Sequence, residues 1–411
     1  MKKSDLDRVY DRSGTQCIKW EHLPPDAPEG ALPLWVADMD FPCAQPIVDA
    51  LHERIEQKIF GYTEYDTPAC KGAVTGWFRR RFGWEIDPAH IFFSPAVIPA
   101  MAYFIDALTA PGDGVLIQRP VYYPFTNIIL GGGRRVVNNP LRYRGGAYEM
   151  DFGDLERKLA DPGTKGMILC SPHNPVGRVW SEEELREVVR LCSRYGRWIL
   201  ADEIHCDLVR REERHHPILK VCPEYADHIV VCTAPTKSFN LAGLQVSNII
   251  IPGAAFQEVW RRQAEARFAI STDNPLGFAA MAAAYNQCED WLDTVNEYID
   301  DNIRFARKYL EKRLPKAVMV KAQGTYLIWV DLRAYCADSK RLRELMVRRA
   351  GVVLDEGDIF GKEGSGFERI NAACPRCVLA GCLERMAGAR HFPGRLCARR
   401  RAEPGKERPL A

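Results

Sequence analysis

The sequence lacks long apolar runs and has almost no net charge. No stretch approaches the ~20 apolar residues of a membrane-spanning helix, and the N-terminus MKKSDLDRVYDRSG has no apolar core of a secretory signal. Its 56 Lys and Arg residues nearly balance its 54 Asp and Glu residues, for a net charge of +2. This charge gives no reason to expect nucleic acid or an anionic membrane as the main partner. We therefore expect a cytoplasmic protein that binds neither.

The fourteen cysteines also lack the spacing of a disulfide or zinc framework. Several lie in apolar runs, where a reduced cysteine behaves as a small hydrophobe. The C-x-x-C pair formed by Cys374 and Cys377 has no second pair at zinc-finger spacing. We predict no bound metal and no disulfide framework in a cytoplasmic chain of this size.

The chain does contain short apolar runs bounded by Gly, Pro, Asn or charged residues. Runs of this length without alternation are typical of strands buried on both faces. Between two of them, Ser181 and Glu184 have the spacing of a capping box, and a helical apolar pattern follows. Strand, helix and strand in succession predict an α/β fold with a parallel sheet. The predicted strands are VLIQ (115–118), MILCS (167–171), WILAD (198–202), IVVCT (229–233) and NIII (248–251).

The pattern changes near residue 286, where a long charged helix begins and a mixed segment, TYLIWVDL, follows. We predict an N-terminal arm over residues 1–47 that joins a smaller α+β domain over 286–390. A large domain spans 48–285. The basic stretch 391–411, which contains Pro and Gly and has little periodicity, is expected to be a disordered tail.

Unusual polar residues follow three of the predicted strands. Asn174 comes after MILCS, Asp202 ends WILAD, and Lys237 follows IVVCT. Each has an ordinary alternative: a turn asparagine, a helix-capping aspartate and a solvated loop lysine. Because ligands bind beyond the carboxyl ends of parallel strands, the three together indicate a site. A desolvated lysine amine can form a Schiff base, and pyridoxal phosphate needs such a lysine and a carboxylate at its pyridine nitrogen.

A phosphate group would also need backbone N–H groups, ideally at a helix N-terminus. The stretch FFSPAVIPAMAYFIDAL (92–108) predicts a turn followed by a helix, with Pro99 at the first helical position. The amides of Ala96, Val97 and Ile98 could then bind a phosphate. The motif is weak by itself, because many loops lead into helices.

Together these motifs resemble the fold-type I pyridoxal-phosphate enzymes of the aspartate aminotransferase superfamily. SPHNPVGRVW (171–180), ADEIH (201–205) and TAPTKSFNLAGL (233–244) carry that resemblance. The segments DRSGTQCIKWEH (11–22), LPLWVADMDFPCAQPIVDAL (32–51), FGYT (60–63), RPVYYPF (119–125) and RINAACPR (369–376) are similar to the MalY/PatB-type cystathionine β-lyases. The resemblance covers roughly residues 5–388. It implies a large domain with a mostly parallel seven-stranded sheet and a smaller α+β domain.

The resemblance also implies roles in catalysis and in binding the substrate. Lys237 would form the Schiff base and then act as the base that removes the Cα proton, and Asp202 would pair with the pyridine nitrogen. Asn174 would contact the ring oxygen and the substrate carboxylate, which Arg369 would clamp. Tyr123 would lie near the substrate.

Other residues would hold the cofactor. Tyr122 would stack on its ring, and residues 96–98 with Thr236 would bind its phosphate. Tyr62 would reach the phosphate of the neighbouring subunit, which implies a homodimer with shared active sites. Tyr65 is a competing choice for that contact, and Arg369 has a purely structural ion pair as its alternative.

Three positions depart from the wider pattern. His205 stands where aminotransferases commonly have tyrosine; it would line the cofactor site, and a core histidine is its ordinary alternative. Gln245 replaces an arginine that commonly contacts the phosphate, which puts cofactor retention in doubt. Ala96 replaces glycine and would be strained if its backbone needed a positive φ. His215 and His216 are expected at the surface.

The implied reaction is α,β-elimination from L-cystathionine or a related cysteine S-conjugate, releasing a thiol such as homocysteine, pyruvate and ammonia. An aminotransferase of broad or aromatic specificity would use the same lysine, aspartate and asparagine. A third alternative is a regulatory protein that binds a transcription activator.

Overall fold

The computed structural model describes residues 2–270 and 274–389. The tail predicted for 391–411 lies outside these residues. Over the two described ranges, we find no helix with the length and apolar content that a bilayer crossing requires.

Helices and strands alternate along most of the described chain. The helices are α1 Ile18–Glu21, α2 Gln45–Glu56, α3 Pro68–Phe82, α4 Val97–Leu108, α5 Pro124–Gly131, α6 Phe152–Ala160, α7 Glu182–Arg194, α8 Ile218–Val221, α9 Pro235–Ser238, α10 Ala254–Trp260, α11 Pro275–Gln287, α12 Glu289–Arg313, α13 Ser339–Glu344 and α14 Arg376–Ala389. The strands are β1 Leu32–Pro33, β2 Ile91–Ser94, β3 Gly114–Ile117, β4 Arg135–Asn138, β5 Arg142–Arg144, β6 Ala147–Glu149, β7 Thr164–Cys170, β8 Trp198–Asp202, β9 Ile229–Thr233, β10 Ser247–Ile250, β11 Val318–Met319, β12 Leu327–Asp331, β13 Val352–Val353, β14 Asp355–Glu356 and β15 Phe367–Asn371.

The central sheet has seven strands in the order β2-β10-β9-β8-β7-β3-β4. The strands from β9 to β4 pair in parallel, which confirms the predicted α/β class with a mostly parallel seven-stranded sheet. The predicted NIII strand forms as β10 but runs antiparallel to both of its neighbours. The chain between β9 and β10 contains only short helical turns. It therefore turns back at the same end of the sheet instead of crossing over it.

Packing explains why these strands are almost wholly apolar. Every residue of β3, β8, β9 and β10 is buried, since helices cover both faces of the sheet. Helix α7 begins at the predicted capping box, in which the Ser181 hydroxyl accepts from the N–H of Glu184 and the Glu184 carboxylate accepts from the N–H of Ser181. Gly166 of β7 lies so close to the Trp198 ring of β8 that a side chain there would overlap the indole.

A second sheet, antiparallel throughout, has the order β11-β12-β15-β14. The N-terminal segment runs beside it: β1 pairs in parallel with β13, and the N–H of Asn371 at the end of β15 donates to the Leu34 carbonyl. Residues 35–41 continue from there. This arrangement brings the N-terminal segment and β15 to the carboxyl ends of β7, β8 and β9, where the candidate site lies.

Candidate active site

The polar residues that follow β7, β8 and β9 meet in one cavity. Asn174, Asp202 and Lys237 all line it, as expected for the shared edge of parallel strands. Most of the other predicted site residues line the same cavity, together with further residues of the quoted motif segments, such as Ala37. The further predicted residues in the lining are Ala96, Val97, Ile98, Tyr122, His205 and Thr236.

Lys237 lies in the single turn of α9, and its Nζ donates to the carbonyl of Ala37 at 2.7 Å. Burial lowers the pKa of the amine from 10.5 to about 8; the positive charge of Arg369 lowers it further, while Asp38 and Asp202 oppose the shift. An amine with this pKa is partly neutral near neutral pH. It can therefore act as a nucleophile and as a base.

Asp202 ends β8 and is only 4% exposed. Its Oδ1 accepts a hydrogen bond from the N–H of Ile204 at 3.1 Å. Burial raises the pKa of the carboxyl from 3.8 to about 7, against the opposing effects of that hydrogen bond and of Lys237. A cationic ring nitrogen in the cavity would be stabilised by this carboxylate.

The N-terminus of α4 forms another wall of the cavity. Ala96 is the N-cap residue with an extended φ of −154°, so the strain considered for alanine at this position does not occur. The helix begins at Val97, two residues before the predicted start at Pro99. The first amide N–H groups of a helix have no partner within it, and here residues 96–98 line the cavity. They can bind a phosphate group.

The lining of the cavity carries little positive charge. Gln245 is one of the lining residues and has the left-handed conformation, with φ of 50°. Of the described lining residues, Asp202 and Lys237 are the ones that carry charge. A phosphate would be held there by amides and neutral side chains.

His205 is buried beside the cavity, with its ring edge-on to Tyr326 at a centroid distance of 5.9 Å. Its Nδ1 has no hydrogen-bond partner among the described residues. Burial, together with the charges of Lys237 and Arg369, lowers the pKa of the imidazole to about 3. The ring is therefore neutral near neutral pH, which disfavours acid–base catalysis by His205.

Arg369 of β15 approaches the cavity from the second sheet. Its Nη1 donates to Asn174 Oδ1 at 2.9 Å, and its Nη2 donates to the Trp35 carbonyl at 3.0 Å and to Asp355. The guanidinium thus has both a structural ion pair and a bond to a cavity residue. Sequence patterns did not indicate Asp355 or Trp35, because both contacts are tertiary.

Two predicted tyrosines lie outside the cavity lining. Tyr123 precedes α5, is 36% exposed and lies next to Tyr122, with ring centroids 5.5 Å apart. Tyr62 is 97% exposed. Tyr65, the competing choice, is buried and donates its hydroxyl hydrogen to Asn248 Oδ1 at 2.8 Å, so it is committed to the core.

One surface prediction was wrong. His215 is 2% exposed, and its Nε2 lies 3.0 Å from Glu203 Oε2. Glu203 itself is fully buried beside Asp202. His215 thus gives the buried Glu203 carboxylate a polar partner behind the cavity. The charged sequence around His215 gave no local sign that this histidine is buried.

Comparison with known proteins decides the family. The family model for aminotransferase class I and II matches residues 31–384. The chain belongs to this family. Among its relatives, the chain is 41% identical to cystathionine beta-lyase PatB of Bacillus subtilis, covering 94% of this chain and 99% of PatB. It is 33% identical to protein MalY of Escherichia coli, covering 91% and 96% of the two chains.

Solved structures agree with this family assignment. Cystalysin from Treponema denticola, which contains pyridoxal 5′-phosphate, aligns with a TM-score of 0.90 and 35% identity over 93% of this chain and 98% of cystalysin. The pyridoxal-phosphate-bound C-S lyase from Staphylococcus hominis aligns with a TM-score of 0.89 and 33% identity, covering 94% and 98%. The predicted resemblance is therefore confirmed.

The cavity of this family member fits that cofactor. An amine with a lowered pKa can bond to its aldehyde carbon, a buried carboxylate can pair with its ring nitrogen, and helix amides can bind its phosphate. The corresponding groups are Lys237, Asp202 and the N-terminus of α4.

Proposed function

We propose that the chain is a pyridoxal-phosphate-dependent carbon–sulfur β-lyase. Its substrate would be L-cystathionine or a related cysteine S-conjugate, and its products a thiol, pyruvate and ammonia. The observation that carries the proposal is the meeting of the partly buried Lys237 side chain and the buried Asp202 carboxylate in one cavity. The similarity to PatB and to the solved C-S lyase from Staphylococcus hominis supports elimination rather than amino transfer.

The bound cofactor supplies an electron sink for the charge that develops at Cα. Arg369 and Asn174 hold the substrate α-carboxylate through a planar guanidinium and an amide. Lys237, with a pKa of about 8, removes the Cα proton. Asp202 keeps a proton on the ring nitrogen.

The Cβ–S bond then breaks and the electron pair leaves with sulfur, which needs a proton. Tyr123, next to the cavity residue Tyr122, is protonated at neutral pH and can supply that proton, although burial raises the pKa of its hydroxyl and so makes it a weaker acid. A three-carbon fragment of the substrate remains after sulfur has left. Water replaces its amino nitrogen, and the products are pyruvate and ammonia.

A homodimer would complete the phosphate site with Tyr62 of the neighbouring subunit. The exposed apolar side chains of Ile59 and Phe60, at 76% and 56% exposure, support a protein partner at this segment. The division into an arm, a large domain and a small domain is supported by the separate seven-stranded and four-stranded sheets and by the pairing of β1 with β13. A cytoplasmic location is supported by cysteines such as Cys170, Cys192 and Cys232, which pack in the core as small apolar side chains. Gel filtration and cell fractionation test these points.

The activity test uses purified protein loaded with pyridoxal phosphate. We expect a visible absorbance band from the lysine Schiff base, and pyruvate release when L-cystathionine is added. Lys237→Ala should lose both. Amino transfer to a 2-oxo acid without pyruvate release would favour the aminotransferase. Normal cofactor loading without any turnover would favour the regulatory protein that binds a transcription activator.

A further inference from the structure

The backbone of residues 35–39 is held by side chains at every carbonyl. Each of the five carbonyl oxygens accepts a hydrogen bond from a side chain, and two of these side chains, Lys237 and Arg369, belong to the candidate site. The donors are Arg369 for Trp35 (3.0 Å), Asn371 for Val36 (2.7 Å), Lys237 and Tyr326 for Ala37 (2.7 and 2.8 Å), Asn371 and Lys19 for Asp38 (2.6 and 3.4 Å) and Asn240 and Arg12 for Met39 (3.0 and 3.5 Å). The 35–39 segment is therefore fixed directly against both Lys237 and Arg369.

Two cations of the N-terminal arm, Arg12 and Lys19, pair with Asp38 of the segment and with Asp40 just beyond it. Arg12 donates to Asp38 at 2.7 Å and to Asp40 at 2.8 Å. Lys19, which is fully buried, lies 2.6 Å from Asp40 and 3.4 Å from Asp38. Trp20 adds an indole N–H bond to Asp40 at 3.1 Å. Two cations and two anions balance one another, as buried charges must.

We propose that this charge cluster, made of Arg12, Lys19, Asp38 and Asp40, is a positioning device for Lys237. Through the 35–39 segment it keeps the Ala37 carbonyl where the free amine of Lys237 donates to it. The assignment of Lys237 as the base rests on the proposed function. None of the four residues lines the cavity or hydrogen-bonds to Lys237. They act through the segment, in which Asp38 adjoins Ala37, and through the charge of Asp38.

A lysine side chain that is not bonded to another group needs a fixed hydrogen-bond partner to stay in position. An unbranched side chain that loses its bond to another group regains rotamer freedom, which slows its return to a reacting position. One hydrogen bond to a fixed carbonyl limits that freedom and leaves the nitrogen lone pair free to accept a proton. Tyr326 donates to the same oxygen and so helps to fix the acceptor.

The cluster also controls charge near Lys237. The charged groups that act on the amine are Arg369 of β15, Asp202 of β8 and Asp38 of the segment; His205 faces them as a neutral ring. Asp38 raises the pKa of Lys237 against the effect of burial. The positive charge of Arg12 offsets part of the effect of Asp38 on Lys237. Removing the charge of Arg12 should therefore raise the pKa of Lys237, and removing the charge of Asp38 should lower it.

The test titrates the visible absorbance of the cofactor-loaded, full-length protein against pH. Arg12→Gln should raise the pH midpoint of this absorbance titration, and Asp38→Asn should lower it, each by roughly half a pH unit or more. Arg12→Lys should restore the wild-type midpoint. Both substituted sites are partly exposed, so these variants are safer for folding than changes at Lys19. Arg142→Gln, which removes an exposed ion pair with Asp151, is the matched control.

Shifts in the same direction, or shifts no larger than that of the control, would overturn the proposal. If the wild-type protein titrates but releases no pyruvate, the proposed function fails while the positioning role stands. If the protein takes up no cofactor, the two variants and the wild type can be compared by the pH dependence of acetic anhydride labelling at the free Lys237 amine. Opposite shifts of the labelling midpoint in Arg12→Gln and Asp38→Asn would support the positioning role independently of any lyase activity.

Discussion

Replacing Asp202 with asparagine should stabilise the cofactor-free protein while it impairs the enzyme. Asparagine has nearly the same volume, and its Oδ1 can still accept the N–H of Ile204. The substitution removes a carboxyl group whose ionisation is opposed by burial. The gain in folding stability should therefore depend on pH.

The size of the effect follows from the pKa of Asp202, which is about 7 in the folded protein against an ordinary value of 3.8. At ~1.4 kcal/mol for each pKa unit, ionising this buried group costs about 4 kcal/mol. Between pH 4 and 7 the folded chain holds a proton that the unfolded chain has released, so the stability of the wild type falls as pH rises through this window. The advantage of Asp202→Asn should grow by about 3 kcal/mol from pH 5 to pH 8.

Urea unfolding of the cofactor-free proteins at pH 5 and pH 8, at one protein concentration, measures this difference. Asp49→Asn, at an exposed position of α2, is the control and should show no such trend. In the loaded enzyme, loss of the charged partner of the ring nitrogen should lower turnover by roughly tenfold to a hundredfold. An unfolding difference that does not change between the two pH values would refute the argument that burial outweighs the favourable contacts of the Asp202 carboxylate.

Three further predictions concern cofactor retention, assembly and packing. Gln245→Arg should slow cofactor dissociation during dialysis, because it adds a cation where the cavity carries little positive charge. Mixing Tyr62→Ala with Lys237→Ala subunits should restore activity that neither has alone, since one site of each mixed dimer would be intact; mixtures that remain inactive would argue against shared sites. Gly166→Ala should lower the free energy of unfolding by about 1–3 kcal/mol, because its methyl group overlaps a neighbouring tryptophan ring. Gly72→Ala, in open space on α3, should not be destabilising, and equal losses at both glycines would contradict the packing argument.

Local patterns were enough to predict the strands and the meeting of their polar ends. The apolar runs depend on burial between helices, and Ser181 with Glu184 carries its capping signal within four residues. Because parallel strands end at one edge, Asn174, Asp202 and Lys237 could be grouped without any tertiary information. The antiparallel direction of β10 was not predictable in this way, since it depends on which end of the sheet the preceding connection occupies.

The contacts of the 35–39 segment could not be predicted from residue types. Ala37 receives Lys237 through its backbone carbonyl, a group that every residue carries. A usable signal was present nearby, however: Asp38 and Asp40 interrupt the apolar stretch LPLWVADMDF, and buried carboxylates need cationic partners. Which cations supply the charge, Arg12 and Lys19, depends on how the arm folds back.

The most direct test of the central claim is the product balance with L-cystathionine as the only substrate. The purified, cofactor-loaded protein should release pyruvate, ammonia and homocysteine in equal amounts, and Lys237→Ala should release none of them. Consumption of cystathionine only when a 2-oxo acid is added, with an amino acid formed in place of ammonia, would contradict the account and identify an aminotransferase.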